Sequence, residues 1–200
     1  MMTQTHLLMA AALYAKPTDR TQTWVAVAGG LLPDLALSLL FIGSRIQGVG
    51  TNTIFNELFW SEQWSLIMAP GNSFVLFGIL LAAGVWIAGL KSKWKRAGQL
   101  LVVLSVSAYM HLITDFLLHA DDARAQFWPL SNWIFHSPVS YWDGRYYGNW
   151  FQPLEILMAL GFMAVLIRRY KSRVVRAALG LAVALYIAIP MYFYFSHHGV

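Results

Sequence analysis

The sequence predicts an all-α integral membrane protein, a polytopic transmembrane helix bundle with about five spans and a short N-terminal helix. Of its 200 residues, 58% are hydrophobic and 12% are charged, and the mean hydropathy is +0.54. Soluble domains, in contrast, carry about a quarter charged residues. Several apolar stretches approach the roughly 20 residues that a helix needs to cross a bilayer. We therefore expect residues 1–200 to form a single integral membrane domain.

The apolar elements can be placed in order along the chain. The first, residues 5–15, is too short to span, so it predicts either a half-helix packed within the bundle or a tilted helix in the interface. Predicted spans follow at residues 24–42, 73–90, 99–118, 154–167 and 177–195. The fourth of these is short, and it reaches full depth only if Trp150 and Phe151 extend it or if the bilayer beside it is thin.

The basic residues give the predicted orientation. Lys and Arg accumulate before the first span, between the second and third, and between the fourth and fifth. Short cytoplasmic loops retain such residues, so these connections are predicted to face the cytoplasm. Only Arg45, Arg124 and Arg145 fall on the opposite side, in two aromatic-rich outer loops at residues 43–72 and 120–150. The tryptophans of these loops suit the headgroup level, where an apolar ring with a polar N–H is well satisfied.

Composition narrows the classes of function. The formal net charge is +5, but the basic residues lie in short loops and form no patch with interleaved aromatics, so nucleic acid is not an expected partner. Membrane lipids are expected partners, because basic loops contact anionic headgroups. The chain has no cysteine, which excludes disulfides, thiolate metal sites and cysteine nucleophiles. Any metal would need His, Asp, Glu or Asn ligands.

Ionisable residues inside the predicted spans are the main functional signal, because a charge there is costly unless it is paired, hydrated or bound to a metal. His111, Asp115 and His119 are spaced four residues apart, which puts them on one face of the third span. By the orientation argument, that face ends at the outer surface. Asp34 follows Pro33 in a glycine-containing segment, and this segment predicts a broken helix.

Three further polar residues, His6, Asn72 and Glu155, open the N-terminal element, the second span and the fourth span, so all three are expected toward the outer side. Two imidazoles and two carboxylates suit Zn²⁺ or a similar divalent ion, with an open position for water. A structural role fits the same residues, with His111 and Asp115 as a hydrogen-bonded pair between helices and His119 at the surface. The residues themselves leave both interpretations open.

Short motifs spread over about the first two thirds of the chain carry a family resemblance. They are Thr5-His6, Gly30-Leu31-Leu32-Pro33-Asp34, His111-x3-Asp115 and Trp128-Pro129-Leu130-Ser131. With these motifs the chain resembles the bacterial membrane-bound metal-dependent hydrolases of the YdjM-like family, which are thought similar to zinc-dependent phospholipase C. Further motifs, Asn72-Ser73-Phe74, Asp121-Asp122-Ala123-Arg124 and the segment 137–143, are similar to a subgroup often labelled cobalamin biosynthesis protein.

The resemblance implies a divalent metal ion, zinc being the first candidate, with ligands at His6, Asp34, His111 and Asp115. Hydrolase members usually carry Thr-His-Ser at the start of the second span, where this chain has Gly71-Asn72-Ser73. Asn72 is therefore expected to provide an oxygen ligand in place of an imidazole, which would suit a harder ion.

The expected function is a hydrolase of the bacterial inner (cytoplasmic) membrane that acts on a phosphoester or lipid headgroup at the outer face. His119 and Asp122 are the candidates for its general acid or base. The alternative is a non-catalytic membrane subunit, in which the polar cluster is structural and the aromatic loops bind a membrane-protein or lipid partner. A transporter is a third and weaker hypothesis, suggested by the predicted break at Pro33.

Overall fold

The computed structural model describes residues 1–91 and 93–198, without the side chains of residues 185, 187 and 189–198. The regular elements of this part of the chain are helices, with irregular connections between them, and it contains no β-strand. Its helices are α1 (Thr3–Tyr14), α2 (Arg20–Ile46), α3 (Thr51–Asn56), α4 (Glu62–Met68), α5 (Phe74–Gly89), α6 (Lys95–Leu118), α7 (Gly148–Arg169) and α8 (Arg173–His198). The predicted all-α class is confirmed.

Three helices among the described residues, α2, α6 and α7, are long and apolar enough to cross a membrane. Helix α7 begins at Gly148, so Trp150 and Phe151 do extend the short predicted span. Helix α5 is apolar but only 16 residues long. The predicted span 177–195 falls within α8, where many of the side chains lie outside those described. The structure thus supports a membrane protein, and the full count of five spans stays a prediction.

The helix break predicted at Pro33 is wrong, because α2 runs without interruption from Arg20 to Ile46. A proline inside a helix removes one N–H, which leaves the carbonyl four residues earlier without its usual partner. Such a residue is tolerated where neighbouring helices hold the backbone and satisfy its polar groups. Here Pro33 is fully buried, α2 packs against both α1 and α6, and the backbone next to the freed Gly29 carbonyl is held by the Gly30 carbonyl, which accepts a hydrogen bond from His111 Nδ1 at 2.7 Å. Contacts with other helices therefore outweigh the local tendency to break.

Helix α1 packs inside the bundle and does not rest in the interface. It contacts α2, α6 and α7, and its buried side chains include Thr5, His6 and Met9. Helix α2 in turn packs on α6, which also carries α5. Of the two alternatives that the sequence left open, the half-helix within the bundle is the one observed.

The two predicted outer loops have different structures. Segment 43–72 is not an open loop, since it holds the end of α2 and the short helices α3 and α4, whose buried Ile54, Trp64 and Met68 pack against α2. Segment 120–150 is mostly irregular and folds over the C-terminal end of α6. There Ser137 Oγ donates to the Leu117 carbonyl at 2.6 Å, and the Tyr141 N–H donates to the Leu118 carbonyl at 3.0 Å. Both segments thus surround the end of α6 that carries the candidate site.

Candidate metal centre

Two adjacent glycines bring together the helices that carry the site. A Cβ on Gly29 would lie 2.3 Å from the Leu104 carbonyl oxygen of α6, and a Cβ on Gly30 would lie 2.9 Å from Ala10 Cβ of α1. No side chain fits at either position, so the backbone of α2 touches α6 on one side and α1 on the other. The close approach places His6 of α1, Asp34 of α2 and His111 of α6 in one cluster.

The composition and the spacing of this cluster could hold a metal ion. His6, Asp34 and His111 each offer one ligand atom, and these atoms all lie within 4.8 Å of one another. Both histidines are fully buried, and the Asp34 side chain is 21% exposed. Imidazole nitrogen and carboxylate oxygen are typical zinc ligands. Three separate helices therefore supply a suitable ligand set.

His111 is held with one ring nitrogen on the backbone and the other facing carboxylates. Its Nδ1 lies 2.7 Å from the Gly30 carbonyl oxygen, which can only accept, so Nδ1 carries a proton and donates. Its Nε2 lies 3.0 Å from Asp115 Oδ2 and 3.6 Å from Asp34 Oδ1. In a neutral imidazole with its proton on Nδ1, Nε2 carries a lone pair that faces the carboxylate oxygens of Asp34 and Asp115, which are also acceptors. A cation, either a proton or a metal ion, must therefore lie between Nε2 and these oxygens. The backbone bond at the other nitrogen is the usual arrangement around a metal-ligating histidine.

His6 lies against His111 and has an unsatisfied nitrogen. The two rings stack with centroids 3.5 Å apart and an interplanar angle of 10°. His6 Nε2 is 2.9 Å from Asp115 Oδ1 but lacks hydrogen-bond geometry, so this buried nitrogen has no hydrogen-bond partner among the described residues. A buried polar atom without a partner calls for an explanation, and an ion is one.

Asp115 is the carboxylate at the centre of these contacts. Its Oδ1 lies near His6 and its Oδ2 near His111. Oδ1 also accepts a hydrogen bond from the main-chain nitrogen of Met1 at 2.8 Å. The same oxygen lies 3.4 Å from Nε2 of His119. Asp34 is supported separately, because Thr3 Oγ1 donates to its Oδ2 at 2.5 Å. Asp115 thus joins the His6–His111 pair to the last turn of α6.

His119 and Asp122 form a pair at the end of α6. His119 Nδ1 lies 2.9 Å from Asp122 Oδ2, and Trp142 Nε1 donates to the same oxygen at 3.0 Å. Burial lowers the pKa of His119, but Asp115 and Asp122 raise it by more, to about 9. Burial raises the pKa of Asp122, yet its contacts with His119 and Trp142 bring it below the usual value. His119 Nε2 is buried without a hydrogen-bond partner among the described atoms. The carboxylate therefore fixes the ring and leaves Nε2 toward Asp115.

A pocket that is open on one side exposes part of this cluster. Its polar lining is Asp34, Asn72, Asp115, His119, Asp122, Arg124 and Gln126, and apolar side chains complete the wall. Asn72 is thus brought to the pocket, with its Nδ2 donating to the Met68 carbonyl at 3.0 Å. Its service as an oxygen ligand stays a prediction. The structure places every predicted site residue at the cluster or in the pocket next to it.

A buried carboxylate on α7, Glu155, supports α1 from outside the cluster. Glu155 is fully buried, accepts a hydrogen bond from the Met2 N–H at 2.7 Å, and also accepts one from Thr5, which contacts Tyr186 of α8. Thr5 immediately precedes His6, so this network fixes the turn of α1 that carries the imidazole. An acidic residue inside an apolar span was the available signal, but the sequence did not indicate its partner.

No match to this chain was found among family models, curated proteins or solved structures. The ligand set and the hydrolase activity that the resemblance implies therefore stay proposals. Their support comes from the geometry of α1, α2 and α6.

Proposed function

We propose that this chain is a membrane-bound, metal-dependent hydrolase with His6, Asp34, His111 and Asp115 as its metal ligands. One observation carries the proposal: two fully buried imidazoles from different helices turn Nε2 toward the same carboxylate, and Nε2 of His6 has no hydrogen-bond partner among the described atoms. The bond from His111 Nδ1 to the Gly30 carbonyl favours Nε2 as the coordinating atom. The family resemblance noted above points to the same residues.

The chemistry follows from the pocket beside the ligands. A divalent ion held by these residues would polarise a phosphoryl or carbonyl oxygen and activate water. His119, oriented by Asp122 through Nδ1, presents Nε2 as the proton donor or acceptor for the reacting group. The apolar part of the pocket wall accommodates the non-reacting part of the substrate. Together these features support hydrolysis of a phosphoester or lipid headgroup.

The site lies at the end of α6 that is far from the basic residues of its first turn, Lys95 and Arg96. If the basic connections face the cytoplasm, the pocket opens at the outer face of the membrane. We propose a multi-pass protein of the bacterial inner membrane that acts on substrates at that face. The exposed tryptophans of the two outer segments, Trp60, Trp133 and Trp150, suit the headgroup level.

The test is metal content and phosphodiesterase activity of detergent-purified protein. We expect about one zinc or similar ion per wild-type chain and hydrolysis of bis(p-nitrophenyl) phosphate that a chelator abolishes. The His111→Ala variant should lose both, whereas His136→Ala, which alters an exposed histidine outside the cluster, should retain both. A wild-type protein that is free of divalent metal and active would contradict the proposal.

The rival proposal is a non-catalytic membrane subunit in which the same cluster only ties helices together. It is supported by the contacts of Asp115, which has three imidazole nitrogens and the Met1 nitrogen within 3.4 Å. A protonated imidazole would satisfy that arrangement without an ion. This function predicts a metal-free protein in which His111→Ala lowers the melting temperature, and it predicts a membrane-protein partner that co-purifies with the chain.

A further inference from the structure

Arg124 lies in the wall of the same pocket as Asp34, Asp115 and His119. It is partly buried, and its guanidinium packs over the Phe59 ring at 4.0 Å from the centroid. Nη1 donates to Ser65 Oγ at 3.2 Å, and Nη2 donates to the Phe59 carbonyl at 3.2 Å. These contacts fix the plane and the direction of the group.

The charge of Arg124 is not neutralised by these contacts. Both acceptors are uncharged, and among the described residues no carboxylate lies within 4.0 Å of this guanidinium. Arg145, on the same segment, is different: its Nη2 pairs with Asp121 at 3.0 Å and with Asp143 at 2.6 Å. Burial lowers the pKa of Arg124 to about 10, against the opposing effect of the Asp122 charge beyond contact distance, so the group still carries its charge at neutral pH. A partly buried cation without a direct counter-charge favours an anionic ligand.

The donor count supports the same conclusion. A guanidinium has five N–H donors in a planar fork, and the structure uses two of them. The remaining donors suit the oxygens of a phosphate, which arginine binds through parallel charge-assisted hydrogen bonds. The carboxylates of the pocket repel such an anion, and a fixed positive group in the wall offsets that repulsion beside the charge that a bound metal would supply.

We propose that Arg124 is the anion-binding residue of the pocket and that the substrate carries a phosphate group. This inference rests on the proposed hydrolase function and deepens it, because it favours a phosphate over an uncharged ester or a sugar headgroup. Arg124 would bind a non-bridging phosphate oxygen, while the metal ligands and His119 surround the bond to be broken. The phosphate can belong to a soluble compound or to a phospholipid headgroup.

The test measures phosphate binding without relying on turnover. Inorganic phosphate and phosphatidic acid in detergent micelles are titrated by calorimetry into the wild type and into Arg124→Gln and Arg124→Lys, with oleate as an anionic lipid without phosphate. We expect Arg124→Gln to weaken phosphate binding about tenfold or more, and Arg124→Lys to recover part of it. Arg145→Gln, which alters the carboxylate-paired arginine, should leave the affinity unchanged. Binding of inorganic phosphate indicates a soluble source, and binding of phosphatidic acid alone indicates a lipid source.

Metal content and melting temperature are measured on the same samples. Equal affinity of the wild type and Arg124→Gln for the phosphate ligand that binds would overturn the proposal. So would a wild type that binds neither inorganic phosphate nor phosphatidic acid, or one that binds oleate as tightly as phosphatidic acid. If Arg124→Gln does not fold, the test rests on Arg124→Lys, which lacks the planar guanidinium. An unchanged phosphate affinity in that variant would contradict the proposed contact. A metal-free wild type that still shows Arg124-dependent binding would overturn the hydrolase function and leave the anion site standing.

Discussion

Substitution of Gly29 by alanine tests the close approach of α2 and α6 on which the site depends. The new Cβ would lie 2.3 Å from the Leu104 carbonyl oxygen and 2.7 Å from Ser107 Cβ. Neither neighbour is the end of a flexible side chain, so the two helices must separate by about 1 Å to reach ordinary van der Waals contact. The hydrogen bond from His111 Nδ1 to the Gly30 carbonyl, now 2.7 Å, would then exceed hydrogen-bonding range.

The magnitude follows from two opposing effects. Overpacking of a close contact costs about 1–3 kcal/mol, and replacing a helical glycine by alanine returns up to about 1 kcal/mol. The net expectation is a loss of about 1–2 kcal/mol in stability. Loss of the backbone partner of a ligating histidine lowers metal affinity by about 10- to 100-fold. Gly29→Ala should therefore reduce both the melting temperature and the metal content.

The assay is thermal unfolding in detergent together with elemental analysis, with Gly161→Ala as the matched control. Gly161 also lies inside a long helix, but a Cβ there would have no atom within 4 Å, so this variant should be at least as stable as the wild type. If Gly29→Ala behaves like Gly161→Ala in both measurements, the argument from helix approach is refuted.

Three other predictions concern single groups. Replacing Asp122 by Asn should lower kcat for phosphodiester hydrolysis about a hundredfold, because His119 loses its orienting carboxylate, whereas Asp121→Asn at the exposed neighbour should not. Replacing Glu155 by Met should lower the melting temperature in detergent, since buried donors at the start of α1 lose their acceptor at about 1–3 kcal/mol each, whereas Glu62→Met at an exposed position of α4 should not. The chain has no cysteine, so single cysteines can report the orientation. A membrane-impermeant maleimide should label Asn132→Cys in intact cells but should label Lys93→Cys only after lysis. The reverse pattern would contradict the proposed orientation.

The sequence predicts the helical architecture well because the hydropathy of a span depends only on the residues of one continuous segment. The lengths of α2, α6 and α7 follow from their apolar composition. The spacing of His111, Asp115 and His119 likewise fixes a single helix face, and the structure shows contacts along it. These features are local, so a sequence without structural information is sufficient to find them.

The features that the sequence did not predict depend on contacts between distant segments. The continuity of α2 at Pro33 comes from the packing of α1 and α6 around it, which local propensity cannot include. For Arg124 the sequence leaves open both a solvated loop residue and a phosphate contact, and only the folding of segment 120–150 over α6 brings it into the pocket. Glu155 finds its partners 150 and more residues earlier in the chain.

The most direct test of the central claim is X-ray absorption spectroscopy at the edge of whichever metal co-purifies with the wild-type protein. If His6, Asp34, His111 and Asp115 are the ligands, the spectrum should show a first shell of nitrogen and oxygen only, with the outer-shell scattering of two imidazoles. The imidazole contribution should be halved in His6→Ala if that variant retains any metal. A protein without bound metal, or a spectrum without imidazole scattering, would contradict the account.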